Sequence, residues 1–440
     1  MPLDNRSIAL PYLDRFAEVA ALLPGKQRPW LRDLRAAAVE RVRQLGLPTV
    51  RVERWKYTNL NSLIAVPFTP GGVAASTVAA ARIPVTAGRH SFVIVDGHFR
   101  PELSSTQRPD GLTISSLADL LRDEPESLRS VLEADPRDDA LDALNLAFAT
   151  DGCVLHVAAG AVIETPVEVV HVSTAATAPT AAHTRHRLIA EAGSGVTILE
   201  SFAGDPASVY WTQSVWDIDV RQGATARRYK DQQEGSKAFH IAADRVRIAR
   251  DARYESFVLT TGAALSRNEI AVVLDGSGAS CRIDGGYLAR GRQHVDNTTE
   301  IRHAKPHTTS AEVYKGVLDD QARGVFQGRI VVEKDAQKAD GHQLNKTILL
   351  SDRAEIDTKP ELEIFADDVK CSHGATAGEL DDDALFYLRA RGIDLAEARR
   401  LLVEAFINDA LANVSDAAIR AAFQRRIGNW MTRSTGDRAA

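Results

Sequence analysis

Trp216-Asp217-Ile218-Asp219-Val220 alternates apolar with acidic side chains and runs into a small residue at Gly223. Period-two alternation marks a strand with one buried face, because successive side chains point to opposite sides of an extended chain. Outward from this stretch, from about 151 to 370, the same grammar persists: Val, Ile and Thr are dense and helical spacing is scarce. Turn residues recur at Gly195, Gly223, Asp251, Gly278, Gly324 and Asp352, at steps of 28, 28, 27, 46 and 28 residues. Strands between turns at such a period predict a β-solenoid, whose coils cannot bury an inner face alone and therefore stack. Small residues suit its tight corners. A β-sandwich also gives many short strands with turn signals and is the competing reading.

The flanks read differently. Up to about Thr150, helix mixes with short extended pieces. Leu31, Leu34, Ala38, Val42 and Leu45 share one helical face, which Gly46 and Pro48 bring to a stop. Ser91 to Phe99 predicts a hairpin around Asp96-Gly97, and Asp119 to Phe148 is helical with breaks at Pro125 and Pro136. From Asp381 onward the chain is helical. Asp381 to Asp383 cap a helix ending at Gly392; Asp394 and Glu397 start a second, with Leu395, Ala398, Leu402 and Ala405 as its stripe. Ser415 starts a third, with Ile419, Phe423, Ile427 and Trp430 in line, and the residues from Arg433 on form a polar, frayed tail. The expected division is a mixed helical region over 1–150, a solenoid core over 151–380 and a helical domain over 381–440. That last domain either closes the open end of the solenoid or presents a face to a partner.

Composition narrows the function. The chain has 440 residues, 44% hydrophobic and 25% charged, with a formal net charge of −6. It can build a core without disulfides, and the lack of a basic stripe argues against nucleic acid. Three widely spaced cysteines, Cys153, Cys281 and Cys371, fit a reducing compartment. No basic and apolar leader opens the sequence, and no apolar run reaches the roughly 18 residues of a membrane span. The expectation is a cytoplasmic protein without a membrane. There is no G-x-x-x-x-G-K-[ST] loop for phosphates, no Cys-x-x-Cys pair and no His-Glu-x-x-His. His294, His303 and His307 read as ordinary strand or surface histidines. Carboxylate pairs such as Asp319-Asp320 and Asp367-Asp368 keep a polysaccharide-active solenoid in view, although 6% aromatics is poor for a sugar cleft.

One spot is chemically loaded. In Cys371-Ser372-His373, residues two apart on a strand share a face, so thiolate and imidazole could reach one metal or cluster. The alternative is a buried apolar cysteine beside a turn histidine. Two ligands do not hold a cluster, which takes four, so the others would come from elsewhere, such as another chain. Cys153 and Cys281 lie in strand contexts and read as structural.

The runs Ile356-Asp357-Thr358-Lys359-Pro360-Glu361-Leu362-Glu363-Ile364 and Ala366-Asp367-Asp368-Val369-Lys370-Cys371-Ser372-His373-Gly374-Ala375-Thr376 closely resemble the SufB/SufD family of iron–sulfur cluster assembly proteins. Leu385-Phe386-Tyr387-Leu388, Gly324-Val325-Phe326-Gln327-Gly328 and, more weakly, Trp55-Lys56-Tyr57-Thr58 extend the resemblance. It is nearer the SufD branch: no cysteine stands between Gln343 and Leu350, and Gly374 follows His373 where the SufB branch has Glu. The resemblance implies a right-handed parallel β-helix between helical ends and a non-catalytic scaffold role. It also implies pairing with a SufB-like chain and docking of a SufC-like ABC ATPase on the C-terminal helices. Cys371 and His373 would then lie near the interface where a nascent cluster forms, with His373 as the metal ligand. The cluster would be transient cargo shared with the partner, with no cofactor held stably by the chain alone. Whether the isolated chain pairs with a second copy is left open.

Overall fold

The computed structural model describes residues 10–71, 88–133 and 139–436. Two ten-stranded sheets face each other, and from Cys153 onward successive strands alternate between them, so each consecutive pair makes one coil. Pairing runs parallel between equivalent strands of neighbouring coils, through about eight coils. This is the parallel β-solenoid that the alternation predicts. Inward side chains stack in columns. In the second sheet one column runs Val167, Ile198, Arg228, Ser256, Ile283, Glu312, Gln343, His373.

The corners correct the turn series. Gly193, Gly223, Asp251, Gly278, His307 and Lys338 form one column of left-handed residues, with φ of 69°, 66°, 57°, 74°, 59° and 64°. Most are tied to the next coil by backbone hydrogen bonds: Gly193 N–H donates to Gln222, Gly223 to Arg250, Asp251 to Ser277 and His307 to Gln337, at 2.9–3.0 Å. Gly195 instead opens the strand Gly195–Gly204, Gly324 lies within the strand Arg323–Val332, and Asp352 turns the opposite corner. The 46-residue step thus passes over the corner occupied by His307, and the step from Gly324 to Asp352 passes over the corner at Lys338. Neither is a small turn residue, and the stacked hydrogen bonds hold the conformation that their side chains disfavour.

Helices cover the two outer faces. Pro29–Leu45 begins with proline at its first position and ends at Gly46, φ 67°, as the stop signal predicts. With Ala140–Phe148 it packs Val39, Val42, Leu144 and Phe148 onto Trp211, Phe239 and Leu265 of the first sheet. The hairpin His90–Val95/His98–Phe99 turns through Asp96 and Gly97, φ 50° and 82°, and adds to the second sheet beside Val167–Ser173. Helices Leu117–Asp123 and Glu126–Leu132 break at Pro125 as expected; Pro136 lies outside the described residues.

At the other terminus, Asp381 and Asp394 accept the first N–H groups of helices Asp382–Ala390 and Leu395–Asn408. These helices and Ala417–Gly436 do not close the solenoid's end. Val403, Ile407, Ile419, Phe423 and Ile427 pack on the second sheet's outer face, against the column Leu199, Tyr229, Phe257 and the neighbouring pair Leu288 and Val317. The stripe of the middle helix is rotated accordingly. Ala398, Val403 and Ile407 are buried, whereas Leu395 and Ala405 are exposed. The last helix continues to Gly436, through residues that read as a frayed tail. Among the described residues, nothing pairs with the outer edges of the last two strands, Glu355–Ile364 and Lys370–Gly378. One end of the solenoid is open.

Candidate functional site at the open end of the solenoid

Lys370–Gly378 carries both residues that the sequence singles out. Lys370 donates its N–H back to Ala339 at 2.9 Å, so alternation turns the N–H groups of Cys371 and His373 toward the free edge. The register continues two inward columns. Cys371 stands above Gly341, Ser310 and Cys281, and His373 above Gln343 and Glu312. The two side chains therefore share the inner face of the terminal coil, as the two-residue spacing requires. Their surroundings differ. Cys371 is half-buried against Ile330, Val332, Ala339 and Ala366, and burial pushes its thiol above the ordinary range, partly offset by the Gly341 backbone. His373 is exposed, because no further coil covers it.

The facing strand supplies the rest of the rim. Ile356, Thr358, Pro360 and Leu362 occupy its inward positions and are only half-buried. On the outer face, His342 Nδ1 lies 2.7 Å from Ser372 Oγ and its Nε2 2.8 Å from Asp340. The arrangement offers one accessible imidazole, a neighbouring thiol and two unpaired strand edges. It can give one or two ligands to a metal and a template for another chain's strands. It does not make a four-ligand site.

Other sequence candidates are dispersed. Cys153 and Cys281 are buried in the solenoid core, and burial holds both thiols protonated. His294 meets Thr58 at 2.9 Å; His303 is enclosed between Thr308 and Ser310; His307 turns a corner. The sequence reading missed a polar interior. His171, His186 and Glu200 bring ligand atoms within 4.8 Å of one another, all buried. Hydrogens fill that space. Cys153 N–H donates to His186 Nδ1 at 2.9 Å, which leaves the proton on Nε2. Glu200 already accepts from Trp216 Nε1 at 2.9 Å, from Arg228, and from His171 Nε2 at 3.1 Å. Burial opposes ionisation of Glu200, but Arg228 and His171 outweigh it and hold the carboxyl well below its usual range. This is a buried ion-pair network, in which His186 Nε2 has no hydrogen-bond partner among the described residues. Its only sequence signal is that Glu200 and Arg228 stand one coil period apart.

The class is set by the fold: a parallel β-solenoid sheathed by helices, whose last two strands have unpaired outer edges among the described residues. Comparison with known proteins makes the class specific. Residues 171–406 match the SufBD core domain of the SUF system for iron–sulfur cluster assembly, and residues 6–169 match the SufBD N-terminal region. The chain belongs to the SufBD family. It is 30% identical over 394 residues to the iron–sulfur cluster assembly protein SufD of Escherichia coli, covering 89% of this chain and 90% of that protein. A SufBD family protein of Synechocystis is 30% identical over 413 residues, 91% of each chain. SufD of Bacillus subtilis is 25% identical over 418 residues, 91% of this chain and 93% of its own. Among the described residues, no helix is long and apolar enough to cross a membrane.

Proposed function

We propose that this chain is a non-catalytic, SufD-like scaffold subunit that builds a nascent iron–sulfur cluster jointly with a SufB-like chain. The observation that carries the reading is the last coil. There, among the described residues, the inward column through Glu312 and Gln343 reaches solvent, and it does so at His373. A partner's strand added to either free edge would cover the rim and bring further ligands to the imidazole. Without that partner, the same edges would pair with a second copy.

A SufC-like ABC ATPase is proposed to dock on the C-terminal helices. The inner faces of Leu395–Asn408 and Ala417–Gly436 are spent on the second sheet, while Phe386 and Tyr387 of Asp382–Ala390 stand 73% and 55% exposed. The test is anaerobic reconstitution with SufB-like and SufC-like partners, reading visible absorbance and iron content. The isolated chain is expected to be colourless and without ATPase activity, and the three-chain complex to assemble a cluster that depends on His373. A stoichiometric cluster on the chain after every partner has been removed would overturn the shared-site reading.

A further inference from the structure

We propose that Gln343 is a positioning residue that fixes the tautomer of the His373 imidazole from one coil below. The proposal rests on the reading of His373 as an iron ligand, and it deepens that site.

Glu312, Gln343 and His373 are consecutive members of one inward column. Gln343 is 3% exposed, and its amide reaches across the solenoid toward the facing sheet. Room for it exists because residue 328 is glycine: a Cβ there would stand 1.8 Å from Gln343 Nε2 and 2.5 Å from its Cδ. The amide is also oriented. Nε2 donates to Glu312 Oε2 at 2.7 Å, so the NH₂ points down the column. That leaves Oε1 as an acceptor. It is buried and has no hydrogen-bond partner among the described residues.

A buried amide oxygen without a donor is costly, and native interiors satisfy such groups. The next member of the column is His373, whose ring has two nitrogens and is not held by any hydrogen bond among the described residues. Rotation of its side chain toward the column brings one ring N–H onto Gln343 Oε1. The proton is then fixed on that nitrogen, and the other presents its lone pair to the open rim. Metal-binding histidines commonly have their second nitrogen tied in this way, which sets ring orientation and raises donor strength. Gly328, Glu312 and Gln343 thus act through His373 and touch no cargo themselves.

The test needs no iron. The isolated protein, labelled with ¹⁵N-histidine, is examined by NMR at about pH 8.5, where free imidazole is neutral, and the His373 signals are assigned by their loss in His373→Gln. The expected wild-type result is one tautomer, with a protonated and an unprotonated nitrogen resolved. Gln343→Met, similar in shape but without the acceptor, should average the two tautomers and lower cluster formation in the three-chain complex several-fold. If Gln343→Met does not fold, Gly328→Ala, which displaces the amide without removing it, should give the same averaging. An averaged tautomer in the wild type, or a single one persisting in the folded variant, overturns the positioning role, as would a freed tautomer with undiminished cluster formation. If the tautomer is locked but His373→Ala still supports full cluster assembly, the contact stands and only the ligand reading fails.

Discussion

Arg228 and His373 occupy the same inward column of the second sheet, five coil steps apart, and live in opposite environments. Arg228 is 1% exposed and held between Glu200 and Asp244. His373 has a coil below it and solvent above. In a stacked-coil protein, a position's chemistry is set less by its residue type than by whether another coil covers it. Charge inside must be neutralised within the chain, whereas a polar group at the uncovered end is free to serve a second chain. The two ends are treated differently in this fold. A hairpin, an added antiparallel strand and two short helices gather at the start, while the C-terminal helices lie along one side and leave the last coil bare.

The largest expected effect tests the covered half of the comparison. Arg228→Leu strands two buried carboxylates and should cost about 3–5 kcal/mol, read from urea unfolding, or abolish soluble expression. His373→Ala should cost less than about 0.5 kcal/mol, as for an exposed position. Similar costs for the two would break the comparison.

Glu312, intermediate in the column, should give the next largest effect. Burial pushes its carboxyl up to about 7, although Gln343 and Thr299 favour the charged form. Between the ordinary glutamate range and pH 7, the folded state therefore holds a proton that the unfolded chain has released. The stabilising contribution of that proton is complete below about pH 4.5 and is lost as pH rises through about 7. Glu312→Gln should remove this dependence. Its stability relative to wild type should climb by up to about 3 kcal/mol between pH 4.5 and 7.5, then level off. A flat difference across that window would show that Glu312 is not buried as described.

A smaller effect is expected on binding. Phe386→Asp alters the exposed side of the C-terminal helices, so it should weaken the proposed binding of a SufC-like ATPase about tenfold or more, about 1.4 kcal/mol, without moving the melting temperature. Val403→Ala, on the buried side, should instead cost about 1–3 kcal/mol of stability. If the two variants exchange phenotypes, the faces have been assigned the wrong way round. Smallest of all, Cys371→Ser should leave cluster formation nearly intact, since the half-buried thiol is held protonated and packs against Val332 and Ala366.

How much of this was legible in the sequence varied along the column. Alternation through Trp216–Val220 gave the strands, and Gly223, Asp251 and Gly278 gave true corners. His307 and Lys338 turn the same corner without a small side chain, so the period broke at the point where stacking, rather than residue preference, holds the turn. Cys371 and His373 were visible because they stand two residues apart and so share a strand face. Their supports were not. Gln343 and Gly328 meet across the hollow of the solenoid, and that contact exists only once the register of both sheets is known. The C-terminal helices were read correctly, but the middle stripe was misplaced because Leu395 and Val403 look equally apolar. The column formed by Leu199, Tyr229 and Phe257 decides which of them is buried.

The central claim is that the uncovered end of the column is the place of cluster assembly, with His373 as the group this chain supplies. Its most direct measurement is complementation of a strain lacking this gene by His373→Ala, with gel filtration of the three-chain complex from the same cells. The account predicts an intact complex and a strong loss of cluster formation. Full complementation by His373→Ala would contradict it.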